Sequence, residues 1–260
     1  MFREVGVFRI QGQKLCRMIA VYGVQDRQSL LLTAFKQLSE TGVVPEGMPA
    51  GHKDGWGLIA YDGNTPRYLG RKPTDPMNGS DYERAVDVIS KTRPQIILGH
   101  LRKASCGSNS IENTQPFIRS QWSFAHNGTV WSPGLNRVGT ENDSAAYFGI
   151  LLDGLPTSDI ENALAERVKK LRSDVTSQKD NSDQTYSSLT SLLSDGRSIY
   201  AVRDFANDSD RNYYTLYYSL LSEGIVFSQE KIIDSSWEEI PNKTLVTFHP
   251  GERVKIIPCS

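Results

Sequence analysis

Cysteine is scarce in this chain. Only Cys16, Cys106 and Cys259 occur in 260 residues, and no two form a Cys-x-x-Cys pair. An odd, scattered set argues against a disulfide framework or a zinc site and fits a reducing, cytoplasmic setting. Net charge is nearly absent as well: 29 Lys and Arg against 30 Asp and Glu leave −1. That balance gives no electrostatic case for nucleic acid or an anionic membrane as partner. No run approaches the roughly eighteen apolar residues of a membrane span. The opening residues, Met1 to Arg9, lack the apolar centre of a secretory signal. Asn127-Gly128-Thr129 is accordingly not read as a glycosylation acceptor. Internal repeats and compositional breaks are missing too, so residues 16–260 read as a single domain.

What is present is alternating short strands and amphipathic helices. Residues 16 to 23 form a short apolar run closed by glycine, the pattern of a buried strand. Ser29 to Glu40 carries Leu31, Leu32, Phe35 and Leu38 at helical spacing, followed by a Gly- and Pro-rich loop from Thr41 to Gly51. Gly55 to Asp62 and Arg67 to Arg71 read as a hairpin across Gly63-Asn64. Ser80 to Lys91 reads as a helix, and Gln95 to Leu101 and Gln121 to His126 as strands. Asp143 to Leu152 reads as a helix behind an Asn-Asp-Ser cap cluster, and Ile160 to Leu171 as another. Ser173 to Asp183 is polar and loop-like, and Tyr186 to Leu193 is expected to be helical. The last third is β-rich, with strands expected at 198–203, 213–219, 224–228, 243–249 and 253–257. Such a pattern suggests stacked layers, sheets inside and helices outside.

Five places carry candidate chemistry. Cys16 opens the first strand; were it the first residue, it would combine a thiol nucleophile with a free α-amino base. His52-Lys53-Asp54-Gly55-Trp56-Gly57 reads first as a glycine-permitted turn, and two ligands, His52 and Asp54, do not make a metal site. Arg102, in Gly99-His100-Leu101-Arg102-Lys103-Ala104-Ser105-Cys106-Gly107, could clamp a carboxylate with its planar fork or form an edge ion pair. Cys106 competes as a nucleophile but reads better as a small packing residue. In Phe124-Ala125-His126-Asn127-Gly128, Asn-Gly after an apolar strand is either a hairpin turn or an oxyanion hole built by the Asn127 amide and the Gly128 N–H. Asp143, in Thr140-Glu141-Asn142-Asp143-Ser144, could cap a helix or receive a ligand's ammonium.

In this order, Cys-Arg opening a strand, HxDGWG, GHxRxAS, HNG and a Glu-x-Asp helix start resemble the class II glutamine amidotransferases, a branch of the N-terminal-nucleophile hydrolases. The resemblance spans Cys16 to Leu152 and continues weakly through Gly224 to Glu230; the HxDGWG form looks most like the stand-alone members. It implies an α+β fold, a four-layer αββα sandwich of two mainly antiparallel sheets, and no cofactor. It also implies that Cys16 forms a γ-glutamyl thioester and releases ammonia from glutamine, with Asn127 and Gly128 as oxyanion hole. Arg102 and Ser105 would bind the substrate carboxylate and Asp143 its ammonium. Lys103 stands where sugar-phosphate members have Trp, and Cys106 where they have His. Arg17 reads as a structural salt-bridge partner.

The implied partners are glutamine or another γ-glutamyl amide, and a separate acceptor or synthase enzyme. Alternatives are an amidase for a different γ-glutamyl amide or a non-catalytic glutamine-binding subunit. Residues 1–15 bear on the choice: they are a propeptide, or an artefact of the assigned start with the Leu15 codon as true initiator, or a retained and disabling extension. The second account is slightly favoured.

Overall fold

In the computed structural model the described residues are 16–44, 48–104, 109–131, 142–177 and 185–260. The expected extension 1–15 lies outside them, as do Ser105 and Cys106. The first half runs β1 (Arg17–Gly23), α1 (Gln28–Thr41), β2 (Gly55–Asp62), β3 (Thr65–Lys72), α2 (Asp81–Thr92), β4 (Ile96–Arg102), β5 (Phe117–Arg119) and β6 (Trp122–Asn127). The second half runs α3 (Asp143–Leu152), α4 (Ile160–Ser177), β7 (Thr190–Ser194), β8 (Ile199–Arg203), β9 (Tyr217–Leu221), β10 (Gly224–Ser228), β11 (Glu238–Glu239), β12 (Thr244–Phe248) and β13 (Lys255–Pro258). Among the described residues no helix is long and apolar enough to cross a membrane.

The strands form two antiparallel sheets. One is ordered β11-β9-β10-β1-β4-β2-β3, the other β13-β12-β8-β7-β6-β5. Strand alternation sorts their side chains into three layers. On β1, Ile19 and Val21 face Leu31, Leu32 and Phe35 of α1 and Tyr82 and Ile89 of α2. Met18 and Ala20 face the other way, joining Leu98, Ala125, Leu192, Ala201, Phe227 and Val246 between the sheets. Phe124, Leu193 and Tyr200 pack outward against Tyr147, Phe148, Leu164 and Val168 of α3 and α4. Helices, sheet, sheet, helices: this is the αββα order.

Gly23 shows why β1 ends where it does. Its φ of +66° suits glycine, and a Cβ there would lie 2.1 Å from the Glu223 carbonyl oxygen. The α3 cap is Asn142, whose Oδ1 accepts from the N–H groups of Ser144 and Ala145 at 3.0 and 3.2 Å.

Three sequence expectations fail. Tyr186 to Leu193 is not a helix; after an isolated bridge at Tyr186, Thr190–Ser194 pairs with β6 on one side and β8 on the other. Ser191, Leu192 and Leu193 are all buried because both faces of the strand are covered, and such a run carries no period to separate strand from helix. The loop expected from Ser173 is helical to Ser177, because Val175 extends the buried stripe of Leu164, Val168 and Leu171. The strand expected from Tyr213 begins only at Tyr217, and Tyr213 and Tyr214 instead pack with Phe205.

Candidate active site

The alternation that builds the core also aims the candidate residues. Cys16 lies two positions before Met18, so the strand's period turns it toward the space between the sheets. Asn127 lies two positions after Ala125 on the opposing sheet and is turned toward the same space. They meet: the Cys16 main-chain nitrogen donates to Asn127 Oδ1 at 2.9 Å, across 111 residues of sequence. An N–H can only donate, so the carboxamide oxygen faces Cys16 and the NH₂ faces away. That Nδ2 is buried and has no hydrogen-bond partner among the described residues.

Arg17 fixes the position of Cys16. Fully buried, it pairs through Nε with Glu230 just beyond β10, donates from Nη1 to the Cys16 carbonyl at 2.8 Å, and reaches the Val43 carbonyl with Nη2. Glu230 also accepts from the Val43 N–H at 2.8 Å. The expected structural ion pair is therefore present, and it ties β1, β10 and the loop after α1 into one corner.

Gly128 must be glycine for lack of room: a Cβ would sit 2.0 Å from the Ser188 carbonyl oxygen. The same carbonyl lies 2.9 Å from His126 Nε2, and Ser144 Oγ lies 2.9 Å from Nδ1. A carbonyl only accepts, so the Nε2–H tautomer is assigned and Nδ1 accepts from the serine hydroxyl. His126 thus joins the Asn-Gly segment to the first turn of α3. Sequence reasoning passed over this residue, although it stands inside the HNG motif.

Arg102 ends β4, one position beyond the Arg17–Leu101 pair, on the same rim as Cys16. Its Nη1 donates to Asn109 Oδ1 at 2.6 Å and, more weakly, to the Asp54 carbonyl at 3.4 Å. Asp143 accepts from the Val130 N–H at 2.9 Å. Between them runs the 109–113 loop, whose Asn113 accepts from Asn142 Nδ2 at 2.8 Å. One loop therefore links the candidate carboxylate clamp to the candidate ammonium acceptor.

The HxDGWG segment supports this rim. Asp54 accepts the Ala104 N–H at 2.8 Å, and its own N–H reaches the Arg102 carbonyl at 3.0 Å. His52 lies 3.1 Å from the Leu38 carbonyl through Nδ1, and burial together with the nearby Arg17 cation pushes its pKa down to about 2. Lys103 turns inward to the carbonyls of Pro49 and Gly51, and burial lowers its pKa. His52 and Asp54 serve separate hydrogen bonds and form no ligand pair.

Comparison with known proteins decides the family. A model of the class-II glutamine amidotransferases matches residues 31–219. The chain belongs to that family. The amidotransferase is 24% identical over 273 residues to an uncharacterised protein of Methanocaldococcus jannaschii, covering 92% of this chain and 71% of the other. Its fold matches a glutamine aminotransferase class-II domain protein from Silicibacter pomeroyi at a TM-score of 0.62 and 18% identity, over 94% and 99% of the two chains. It also matches the glutamine phosphoribosylpyrophosphate amidotransferase of B. subtilis at a TM-score of 0.62 and 13% identity, over 94% of this chain and 49% of that one. The family match begins beyond Cys16.

Proposed function

We propose that this amidotransferase, with the α-amino group of Cys16 freed, hydrolyses the side-chain amide of glutamine and passes ammonia to a separate acceptor enzyme. The observation that carries the reading is the Cys16 N to Asn127 Oδ1 contact. It puts thiol, main-chain nitrogen and an unpaired amide donor in one buried corner. A free amine at that nitrogen would donate to Asn127 in the same way. The catalytic unit is residues 16–260, in a reducing cytoplasm that keeps Cys16 a thiol.

The steps follow from the residues. The amine takes the thiol proton as sulfur attacks the amide carbon, and the carbonyl π pair moves onto oxygen. Asn127 Nδ2–H and the Gly128 N–H hold that oxyanion. Its collapse breaks the C–N bond; the departing nitrogen takes the proton from the ammonium and leaves as ammonia. Water, deprotonated by the same amine, then attacks the thioester; collapse of this second tetrahedral state breaks the C–S bond, releasing glutamate while the ammonium returns its proton to Cys16 Sγ. An α-amine pKa of about 7.7–8.0 suits this shuttle, whereas a peptide nitrogen cannot perform it. Arg102, with Ser105, takes the substrate carboxylate and Asp143 the ammonium. These groups read only the glutamyl head, so other γ-glutamyl amides compete as substrates.

The test compares ammonia release from glutamine with glutamate release from γ-glutamyl amides, using protein that begins at Cys16 and protein that keeps residues 1–15. Activity is expected only in the former. Cys16→Ala should lose roughly 10⁴–10⁶-fold, while Cys106→Ala keeps most activity; equal loss from both would reject Cys16 as nucleophile. Mass spectrometry of the natively expressed N-terminus should find Cys16 first, and a dominant Met1 peptide would reject processing.

A further inference from the structure

Tyr213 is a polar side chain near Cys16 that this mechanism leaves unused. It is 5% exposed, in the segment between β8 and β9, and its hydroxyl has no hydrogen-bond partner among the described residues. An unpaired buried hydroxyl costs about 1–3 kcal/mol, and such groups accumulate where a ligand's polar atom completes the pairing.

The surroundings identify that atom. The Arg17 guanidinium lies 4.7 Å from the centroid of the Tyr213 ring while donating to the Cys16 carbonyl. The ring therefore lies against the guanidinium that holds the Cys16 carbonyl. Asn127 is the other neighbour: burial above all, and then negative charge on Cys16, pushes the phenol's pKa up, whereas the Arg17 cation and, more weakly, the Asn127 carboxamide pull it down. The net effect is a phenol well above its ordinary range, which keeps the hydroxyl a donor throughout the working pH. Asn127 Nδ2 is the second buried donor here without a partner.

The segment is also rigid. The Tyr213 and Tyr214 N–H groups both donate to the Asp210 carbonyl, at 2.9 and 3.0 Å. The Tyr214 carbonyl accepts from Arg203 Nε at 2.8 Å, and the Tyr213 and Tyr214 rings meet edge-on with centroids 4.9 Å apart. A donor held this firmly needs little reorganisation when charge develops.

We propose that Tyr213 is a further catalytic residue, donating its hydroxyl hydrogen beside Asn127 Nδ2–H to the oxyanion formed when Cys16 attacks. No bond to Tyr213 forms or breaks, and its proton stays on the phenol through both tetrahedral states. The proposal rests on the Cys16 reading above. It adds a donor from the loop between β8 and β9 to the two supplied by the Asn-Gly segment.

The experiment uses the natively expressed protein and measures steady-state glutaminase kinetics for Tyr213→Phe, Asn127→Ala and Cys16→Ala. Phenylalanine keeps the ring under Arg17 and removes only the hydroxyl. Tyr213→Phe should lower kcat about 10²-fold, the loss typical of one oxyanion donor, with KM within about threefold. Its pre-steady-state burst of ammonia should slow equally, because acylation is the step affected. Its thermal midpoint should not fall, since an unpaired hydroxyl is removed. An unchanged kcat, or a loss confined to KM, overturns Tyr213 as a donor provided Cys16→Ala is inactive. Glutaminase activity that survives in Cys16→Ala overturns the nucleophile assignment instead. A Tyr213→Phe protein that loses kcat only in proportion to lost folded protein, by circular dichroism, also overturns the proposal.

Discussion

The layer between the two sheets has two unlike regions. Through its middle it is mostly apolar: Met18, Ala20, Leu98, Ala125, Leu192, Ala201, Phe227 and Val246 interlock there, none with a polar side-chain group to satisfy. At one rim the same strands, continuing the same alternation, present Cys16, Arg102, Asn127, Thr190, Arg203 and Gln229. The rim is common to both sheets because the pairing is antiparallel. It holds the start of β1 and β7 and the end of β4, β6 and β8. There Asn127 Nδ2, the Tyr213 and Tyr214 hydroxyls and both polar atoms of the Gln229 side chain find no hydrogen-bond partner among the described residues. Burial of apolar surface stabilises the middle, whereas each unpaired rim group costs about 1–3 kcal/mol. One region holds the fold together and the other spends part of that stability on a site ready for substrate.

The sharpest way to break this division is to truncate one residue from each region. Asn127→Ala should reduce kcat by about 10²–10³-fold and cost no more than about 1 kcal/mol of stability, because the stranded Cys16 N–H is partly offset by removal of the unpaired Nδ2. Leu192→Ala, fully buried in the middle, should cost about 2–5 kcal/mol of stability through its cavity. The kcat of its remaining folded protein should stay within a few-fold. Thermal unfolding beside single-turnover ammonia release separates the two. If Asn127→Ala unfolds as readily as Leu192→Ala, the rim is structural and the division fails.

Arg102→Lys asks a finer question, since it keeps the charge and removes the fork. With Asn109 already at 2.6 Å from Nη1, a second geometry-demanding partner requires guanidinium. KM for glutamine should rise about 10- to 100-fold, the value of a charge-assisted hydrogen bond, with a smaller change in kcat. An unaltered KM would remove Arg102 from the carboxylate clamp and leave it as a tether for Asn109.

How much of this was legible beforehand depends on how far apart in sequence the partners lie. β1, the β2–β3 hairpin, α1, α2 and α3 announce themselves locally, through glycine stops, the Gly63-Asn64 turn and 3.6-residue spacing. Asn127, Gly128, Arg102 and Asp143 are visible as motifs, because close approach and charge demand particular residue types. Partners that meet only across the fold are not visible. Arg17 finds Glu230 across 213 residues, and Tyr213 comes under the Arg17 guanidinium from an expected strand that is in fact a packed loop. Thr190–Ser194 was misread for the opposite reason: it is buried on both faces, so it has no alternation to show.

The last prediction concerns the loop behind the rim. His52 is buried neutral, with Nδ1–H assigned toward the Leu38 carbonyl and Arg17, Lys103 and His100 disfavouring its charged form. Its folded pKa of about 2 lies below the value of about 6.5 in the unfolded chain, so unfolding takes up a proton below that higher value. The stabilising effect of the neutral ring is thus complete above pH 6.5 and is lost progressively as pH falls toward 2. The slope approaches about 1.4 kcal/mol per pH unit. His52→Asn places an amide N–H near the Nδ1 position and does not titrate. Denaturant unfolding between pH 7 and pH 4.5 should show a shallower decline for this variant than for the parent. Parallel declines would mean that His52 is solvated in the folded protein, and that the apolar region, not the loop behind the rim, sets the acid limit.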